Sequence, residues 1–541
     1  MLKLARQRAS TPGQARPSFW KSPPFWAVFP LAFVAVLFAH WPLLRLPYYW
    51  DEAGYYIPAA FDFFRTGSLI PYSTLSNAHP PLPSIYLAAF WKVFSFSPFV
   101  TRAAMCAVAA LALAAVWRIA QAVSKRPSIA LATVALTAVY PVFFAQSSLA
   151  HADLFAAAAT LWALAFFLDR RIWLSALCFS LAALSKETSI VTPFALAAWQ
   201  AWIAFRTRSR KPARNAALLL VPVLPLCLWY LYHWHRTGFI FGNPQYLRYN
   251  AEATLTPLRV VLAFLHRAFQ LTLHMNLFVL VLPALAALLL DPAHDSDGSQ
   301  RPALPRDMRA LILVVVVANA VFFSILGGAL LTRYLLPLYP LVVLLCLHAL
   351  RRRLNLWPWL AALVVAAFVA ALFVNPPYRF APEDNLAYSD MVRLQQDAIA
   401  QITARYPNAN VLTAWPASDE LTKPELGYVS QPLRVTPIQN FSFPQILLAS
   451  RSRQTYTTAL IFSTKYAPPG WALSLGRLNQ RLDARYFGFH RDLDPALVAR
   501  ILRGRVVWSE QRHGQWAAVL HFNRSQAQEA YLHAPVNVGK L

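Results

Sequence analysis

The chain has 541 residues, of which 57% are hydrophobic and only 13% are charged, and its mean hydropathy is +0.41. A soluble protein of ordinary composition is not this apolar over this length, so the sequence predicts a polytopic membrane protein. The formal net charge of +26 looks at first like a nucleic-acid footprint. Most of the excess lies between apolar segments, as the positive-inside rule predicts, so no nucleic-acid partner is expected.

The first apolar segment, residues 24–44, follows a basic stretch without acidic residues. It is about long enough to span a bilayer. A cleaved signal peptide is the rival interpretation, but the stretch has no convincing small-residue cleavage site. We therefore expect a retained first helix that starts in the cytoplasm.

An aromatic, acidic loop comes next, with the sequence YYWDEAGYY. Its adjacent carboxylates, Asp51 and Glu52, are flanked by tyrosines, including Tyr55, and by Trp50, where aromatic rings normally line a membrane boundary. Two interpretations stay open at this point: an acidic pair that starts a helix at the membrane edge, or a functional site.

The short apolar segment 81–96 decides the orientation of every later segment. If it lies in the interface as part of the first outer loop, all later basic loops fall on the cytoplasmic side. If it spans, two of those basic loops move outside. We therefore expect a juxtamembrane helix here.

About eleven membrane-spanning helices are predicted on that basis. Their ranges are 24–44, 100–121, 128–146, 153–168, 172–185, 188–205, 215–234, 271–290, 310–330, 334–350 and 356–374. The fourth and fifth are short, which suggests helices that stop inside the protein with their ends lining a cavity. Residues 235–270 are expected to form a second outer loop with a surface helix.

The composition changes at residue 375, after which charged residues and turns become common. We predict two parts: a transmembrane domain, 1–374, and an extracytoplasmic soluble α/β domain, 375–541. The expected elements are a helix over 391–406, strands over 410–414 and 459–463, and a hairpin of 506–511 with 515–522.

The unusual polar residues of the membrane part all fall at the predicted outer face, although an ionisable group in a span costs about 2.5–3.5 kcal/mol on insertion scales. His79 is interpreted as a helix cap or as a metal or phosphate contact, and Asp153 as a helix cap or as a cavity-facing carboxylate. Lys186 is either neutralised by Glu187 or a phosphate ligand, and Arg333 either extends toward water or captures phosphate.

No P-loop, dinucleotide-binding fingerprint or nucleophile elbow is present in the sequence. Carboxylates and a few cations at a membrane face, without a nucleotide motif, favour chemistry on a lipid-linked donor. In such a site a carboxylate activates the acceptor while Lys and Arg meet the donor phosphate.

The ordered motifs YYWDEAGYY, NAHPPL, AQSSLAHAD, LSKET and LTRYLLPLYP cover roughly the first 350 residues. Together they resemble those of the polyprenyl-phosphate-dependent membrane glycosyltransferase superfamily, which includes bacterial aminoarabinose transferases and protein O-mannosyltransferases. The C-terminal part resembles only the variable outer domain that such enzymes often carry.

The resemblance implies an inverting hexosyl- or pentosyl-type transfer in a bacterial inner membrane, with the C-terminal domain in the periplasm. Asp51 would be the general base, Glu52 would support it, and Asp153 would be the second outer-loop carboxylate. The predicted substrate-binding residues are His79, Lys186, Arg333 and Tyr55. The acceptor would be lipid A, another glycan or a protein, and the sequence identifies neither it nor the sugar.

One residue and one motif depart from the family pattern. Gly54 stands where related aminoarabinose transferases tend to have arginine, and HPPL replaces an acid-lysine form of the loop motif, which leaves a bound divalent cation an open question. A lipid-linked sugar flippase or transporter is the alternative function, and a catalytically silent assembly subunit is a third. Transporters usually show matching halves with central sites, which this sequence lacks.

Overall fold

The computed structural model describes residues 23–242, 244, 254–452, 455–469 and 476–522. The basic N-terminal stretch and part of the predicted second outer loop lie outside these described residues.

Helices form almost all of the described chain before residue 375. They are α1 Pro23–Ala39, α2 Ile57–Thr66, α3 Leu82–Phe94, α4 Pro98–Ser124, α5 Pro127–Val139, α6 Pro141–Gln146, α7 Ala152–Leu168, α8 Ile172–Ser185, α9 Val191–Thr207, α10 Arg210–Leu219, α11 Val223–Thr237, α12 Pro257–Thr272, α13 Phe278–Ala287, α14 Arg306–Ile325, α15 Tyr339–Arg353 and α16 Trp357–Phe373.

Four helices in the described ranges are long and apolar enough to cross a membrane. They are Pro98–Ser124, Glu187–Thr207, Arg210–Thr237 and Arg306–Ile325, and a fifth results if Pro257–Asn276 and Phe278–Ala287, which meet at 105°, form one broken span. Six shorter apolar helices accompany them. The helical segments fall where the sequence predicts spans, but eleven crossings stay a prediction.

Three predicted spans are interrupted. The predicted helix 128–146 breaks at Tyr140, which is extended because the ring of Pro141 excludes the helical conformation before it. The predicted span 271–290 has its kink at Met275 and Asn276, both with positive φ. The predicted span 334–350 begins only at Tyr339, since residues Thr332–Leu335 form a separate 3₁₀ turn.

Several basic loops that the sequence predicts on one side of the membrane meet in space. Asp295 accepts from Arg126 at 3.0 Å, from Arg301 at 3.0 Å and from Arg351 at 3.3 Å. Arg126 and Arg301 come from two separate interhelical connections, and Arg351 comes from the last turn of α15. The structure therefore places these connections at one end of the helical bundle.

A five-stranded sheet organises the C-terminal part, with the strand order β2-β1-β3-β5-β4. The strands are β1 Asn410–Ala414, β2 Arg434–Ile438, β3 Thr458–Phe462, β4 Arg505–Arg512 and β5 Gln515–His521. The pairs β1–β2 and β1–β3 are parallel, and β3–β5 and β4–β5 are antiparallel. The predicted strands and hairpin are found within one residue of their expected ends.

The remaining C-terminal helices are α17 Ala387–Arg405, α18 Ala417–Thr422, α19 Phe443–Arg451, α20 Gly476–Phe487 and α21 Pro495–Ile501. Of these, only α17 corresponds to a predicted helix. The sequence analysis also missed β2, whose Pro437 is accommodated because this strand lies at the edge of the sheet. The core around this sheet includes Tyr49 of the first loop and Leu149 from the turn before α7. The domain boundary at 374/375 stays a prediction.

Candidate active site

The acidic motif of the first loop adopts an unusual backbone. Trp50 has φ +44°, and the residues Glu52–Tyr56 form a π-helical turn directly after Asp51. Such turns and positive φ values at non-glycine residues cost free energy and are concentrated at functional sites. The conformation directs the two neighbouring carboxylates, Asp51 and Glu52, into different surroundings.

Arg333 contacts three carboxylates from three different parts of the chain. Its Nη1 donates to Glu383 Oε2 at 2.6 Å, its Nη2 donates to Asp51 Oδ2, and its Nε lies 3.2 Å from Asp153 Oδ2. The arginine side chain is only 3% exposed, whereas Asp51 is 21% exposed. Arg333 therefore does not extend toward water, and it joins the first loop, α7 and the segment after α16.

Lys186 and Glu187 have separate partners, so the predicted alternative of a self-neutralised pair is wrong. Lys186 Nζ donates to Asp153 Oδ1 and lies 3.9 Å from the centre of the Tyr334 ring. Glu187 contacts His79 Nδ1 at 2.8 Å. The C-terminal end of α8 thus meets the N-terminal end of α7 inside the protein, as the short lengths of these helices predict.

Glu52 belongs to a buried structural network. Its carboxylate lies 3.3 Å from Arg102 Nη2 and accepts from the backbone N–H groups of Tyr49 and Ala150. Arg102 also donates to the carbonyl oxygens of Leu46, Pro47 and Ser148. Both charged side chains are fully buried. This network fixes the ends of the first loop. Glu52 therefore supports the site without lining the cavity.

A cavity of about 890 Å³ lies in front of Asp51. Its charged lining residues are Asp51, His79, Lys186, Glu187, Arg333, Glu383 and Lys465. The apolar lining comes mainly from α11, from the end of α14 and from the residue Phe241, and it includes Leu226, Phe322, Phe323 and Leu326. Tyr55 also lines the cavity. The cavity therefore combines a charged region with an apolar wall.

The C-terminal part completes this cavity with Phe380, Ala381, Pro382, Glu383, Trp415, Thr464 and Lys465. The Trp415 ring lies 5.5 Å from that of Tyr55 and 5.4 Å from that of Trp50. It also covers Gly54, where a Cβ atom would lie 2.3 Å from the Trp415 indole nitrogen. This contact explains the glycine, because any side chain at this position collides with Trp415.

A second buried network supports the Arg333–Glu383 contact. Asp384 accepts from Thr332 Oγ1 and lies 3.0 Å from His274 Nε2. Thr332 directly precedes Arg333, and Asp384 directly follows Glu383. The network therefore ties both chain segments to the kink between α12 and α13. The network thereby holds Arg333 and Glu383 next to each other.

Burial raises the pKa of Glu383 to about 8, although the Arg333 guanidinium lowers it in part. The carboxyl side chain is 5% exposed, and its Oε1 has no hydrogen-bond partner among the described residues. Glu383 is therefore a carboxyl group that titrates near neutral pH inside the site.

Within the described ranges, no three His, Cys, Asp or Glu side chains converge in an arrangement that could hold a metal ion. Asp51 and Asp153 contact Arg333, and His79 contacts Glu187.

The structure brings together six of the seven residues predicted for the site, namely Asp51, Tyr55, His79, Asp153, Lys186 and Arg333, with Glu52 behind them. Asp153 is not part of the main cavity wall and lines only a small adjoining pocket. Sequence reasoning missed Arg102, Glu383 and Trp415. The acidic pair in APED, directly after the last apolar segment, is a signal that could have indicated Glu383.

The fold and this cavity define a polytopic helical membrane protein whose buried, charged site is closed by a C-terminal α/β part. Residues 78–229 match the sequence model of the family described as dolichyl-phosphate-mannose-protein mannosyltransferase. No curated protein sequence matches the chain.

Two crystal structures of ArnT from Cupriavidus metallidurans have a similar fold. The structure bound to undecaprenyl phosphate is 14% identical with a TM-score of 0.54, covering 92% of this chain and 98% of that one. The apo structure is also 14% identical with a TM-score of 0.50, covering 91% and 98%. Together with the family match, this fold confirms the resemblance to the polyprenyl-phosphate-dependent membrane glycosyltransferase superfamily.

Proposed function

We propose that this protein is a membrane glycosyltransferase that moves a sugar from a polyprenyl-phosphate-linked donor to an envelope acceptor. The observation that carries the proposal is the cavity itself, in which Asp51, Arg333 and Lys186 adjoin an apolar wall. A lipid-linked phosphate presents the same two surfaces, an anionic group and an isoprenoid chain. The ArnT structure bound to undecaprenyl phosphate, which shares the fold, supports this class of ligand.

Asp51 is the general base in this proposal. Its carboxylate is the most exposed of the three that contact Arg333, and it lines the cavity. Arg333 orients it through a charge-assisted hydrogen bond from Nη2. The ionised carboxylate accepts the proton of an acceptor hydroxyl while that oxygen attacks the anomeric carbon, with inversion of configuration.

Lys186 and Arg333 stabilise the departing polyprenyl phosphate. An ammonium group has three N–H donors, and Asp153 accepts one from Lys186, so Lys186 retains donors for a phosphate oxygen. Fixed cations at the leaving group stabilise the charge that develops in the transition state. Asp153 holds both cations in place, which makes it a positioning residue rather than a base.

The reaction takes place at the outer membrane face in this proposal, with the N-terminus in the cytoplasm and the C-terminal part in the periplasm of a bacterial cell. The cluster of Arg126, Arg301 and Arg351 around Asp295 supports this orientation. The positive-inside rule assigns such an arginine-rich end to the cytoplasm.

The test compares envelope glycolipids and glycoproteins of a deletion strain with those of its parent by mass spectrometry. We expect one glycan, lipid A species or glycoprotein to lose a single sugar, and the same comparison identifies the acceptor. Purified full-length protein should also bind undecaprenyl phosphate. Movement of a sugar-linked lipid across proteoliposomes without any transfer would instead establish the transporter alternative.

A further inference from the structure

The buried cluster around Arg333 contains more acidic than basic side chains. Four carboxylates belong to it, namely Asp51, Asp153, Glu383 and Asp384. The cations are Arg333 and Lys186, joined by His274 if that imidazole is protonated. A fully ionised cluster is thus negative before any ligand enters.

A phosphate group that enters this cavity brings further negative charge. The interaction between like charges is strong at a site shielded from water, so an anion binds well only if the cluster loses negative charge. The group best placed to lose it by taking up a proton is Glu383. It lines the cavity, it is almost fully buried, and its Oε1 has no hydrogen-bond partner in the described part of the chain.

Charged and titratable groups face Glu383 from several elements. The Thr332–Leu335 turn contributes Arg333, the first loop contributes Asp51 and Tyr49, and α7 contributes Asp153. The neighbouring residue Asp384 adds a further carboxylate, and the residue before α7 contributes His151, which lies near Arg333. The adjacent α6 contributes the neutral amide of Gln146, which donates to the Glu383 carbonyl oxygen. Arg333 is therefore the one cation in direct contact with Glu383 among these groups.

Protonation of Glu383 has a direct structural consequence. The neutral carboxylic acid is a weaker acceptor than the carboxylate, so the N–H of Arg333 Nη1 that lies 2.6 Å from Glu383 becomes available to another anion. Protonation of Glu383 also removes one negative charge from the site, which offsets the negative charge that the phosphate brings.

We propose that Glu383 is a positioning residue that must carry a proton when the phosphate of a lipid-linked donor is bound, and that its neutral form releases Arg333 to contact that phosphate. This inference rests on the proposed function and adds the protonation state in which the donor is bound. No covalent bond other than the carboxyl O–H forms, and the proton comes from solvent.

The raised pKa of Glu383 gives the expected pH range. Below about pH 8 the group is already protonated and binding is accompanied by little proton uptake. Above this pH the carboxylate must gain a proton first, so the affinity for an anionic lipid falls by up to about tenfold per pH unit.

The experiment measures binding of undecaprenyl phosphate to the full-length protein in detergent from pH 6.5 to pH 9.5, with the intrinsic tryptophan fluorescence as the signal. Calorimetry near pH 8.5 in two buffers with different ionisation enthalpies measures the number of protons that the protein takes up per bound lipid. A phosphate monoester has its second pKa near 6, so its charge is constant above pH 8. The variants are Glu383→Gln and, as a matched control outside the cavity wall, Glu425→Gln.

We expect the wild type and Glu425→Gln to take up as much as one proton per bound lipid and to lose affinity above pH 8. Glu383→Gln should take up about none and keep its affinity. Equal proton uptake and equal pH dependence in all three proteins would overturn the inference and leave the proposed function intact. Failure of the wild type to bind undecaprenyl phosphate at every pH would overturn both.

Infrared difference spectra of the wild type provide a second measurement if Glu383→Gln does not fold. Lipid binding at pH 9 should produce the carbonyl band of a protonated carboxylic acid, in the Glu425→Gln control as well. Binding without such a band would overturn the inference.

Discussion

Arg333 donates to the Asp51 carboxylate although the two residues are 282 positions apart in the chain. The contact connects the aromatic first loop to the turn before α15, and both residues line the cavity. The contact holds the proposed base and a proposed phosphate-binding cation on one cavity, where an acceptor and a donor would meet.

Loss of the Lys186 charge should weaken donor binding. We expect Lys186→Met to reduce the affinity for undecaprenyl phosphate by about 2–5 kcal/mol, because a desolvated charged contact is lost. Binding isotherms of the purified protein measure the effect. Lys423→Met is the control, since Lys423 contacts Asp419 at 3.0 Å outside the cavity wall. Equal affinities of the two variants would remove Lys186 from the phosphate site.

A side chain at Gly54 should displace Trp415. Overpacking typically costs about 1–3 kcal/mol, so Gly54→Ala should lower the thermal stability in detergent even though alanine favours helix. The double variant Gly54→Ala/Trp415→Ala removes the collision. We expect it to be more stable than the two single effects added together, with a coupling of about 0.5–3 kcal/mol. Strict additivity would show that Gly54 and Trp415 are not in contact.

The segment after α16 should be outside the cytoplasm. A fusion at Pro382 to a reporter that is active only in the periplasm should be active, and a cytoplasmic reporter at the same position should be silent. A fusion at Arg208, between α9 and α10, should give the opposite result. Cytoplasmic activity at Pro382 would contradict the interfacial placement of residues 81–96 and, with it, the common sidedness of the site residues.

Glu420 should make the stability of the C-terminal part depend on pH. Burial raises the pKa of this carboxyl well above its ordinary value of 4.5, and neither oxygen has a hydrogen-bond partner among the described residues. Because the folded state binds the proton more tightly than the unfolded state, its stabilising effect is complete below about pH 4.5 and is lost as the pH rises. Glu420→Gln should therefore stabilise the protein more at pH 8 than at pH 5, as measured by thermal unfolding. An equal change in melting temperature at both pH values would contradict this explanation.

The sequence predicts that the site residues lie together at one level, but it does not predict the contacts among them. Helix parity and the positive-inside rule place Asp51, His79, Lys186 and Arg333 at the same predicted level. They do not say that Lys186 contacts Asp153 rather than Glu187, because that depends on how α7 and α8 end inside the protein. Pairing between helix ends is a property of packing rather than of composition.

The residues that sequence reasoning missed share a physical cause. Arg102 lies in an apolar helix and is satisfied by backbone carbonyl groups distant in the chain, which no local pattern reveals. Trp415 reaches the site from the C-terminal part, so only the tertiary structure connects it with Gly54. Four of the five strands were predictable, including the exposed edge strand β4, while β2, the edge strand that contains Pro437, was not.

The role of Asp51 is the central claim, and one substitution tests it most directly. Asp51→Asn keeps the shape of the side chain and removes its basicity, and a general base typically contributes about 10²–10⁴-fold to the rate. In a deletion strain complemented with this variant, mass spectrometry of the sugar-modified envelope component should show transfer reduced by at least about 100-fold. The protein level and the binding of undecaprenyl phosphate should remain close to those of the wild type and of the exposed control Asp307→Asn. Transfer by Asp51→Asn at a rate near that of the wild type would contradict the account and assign the base elsewhere.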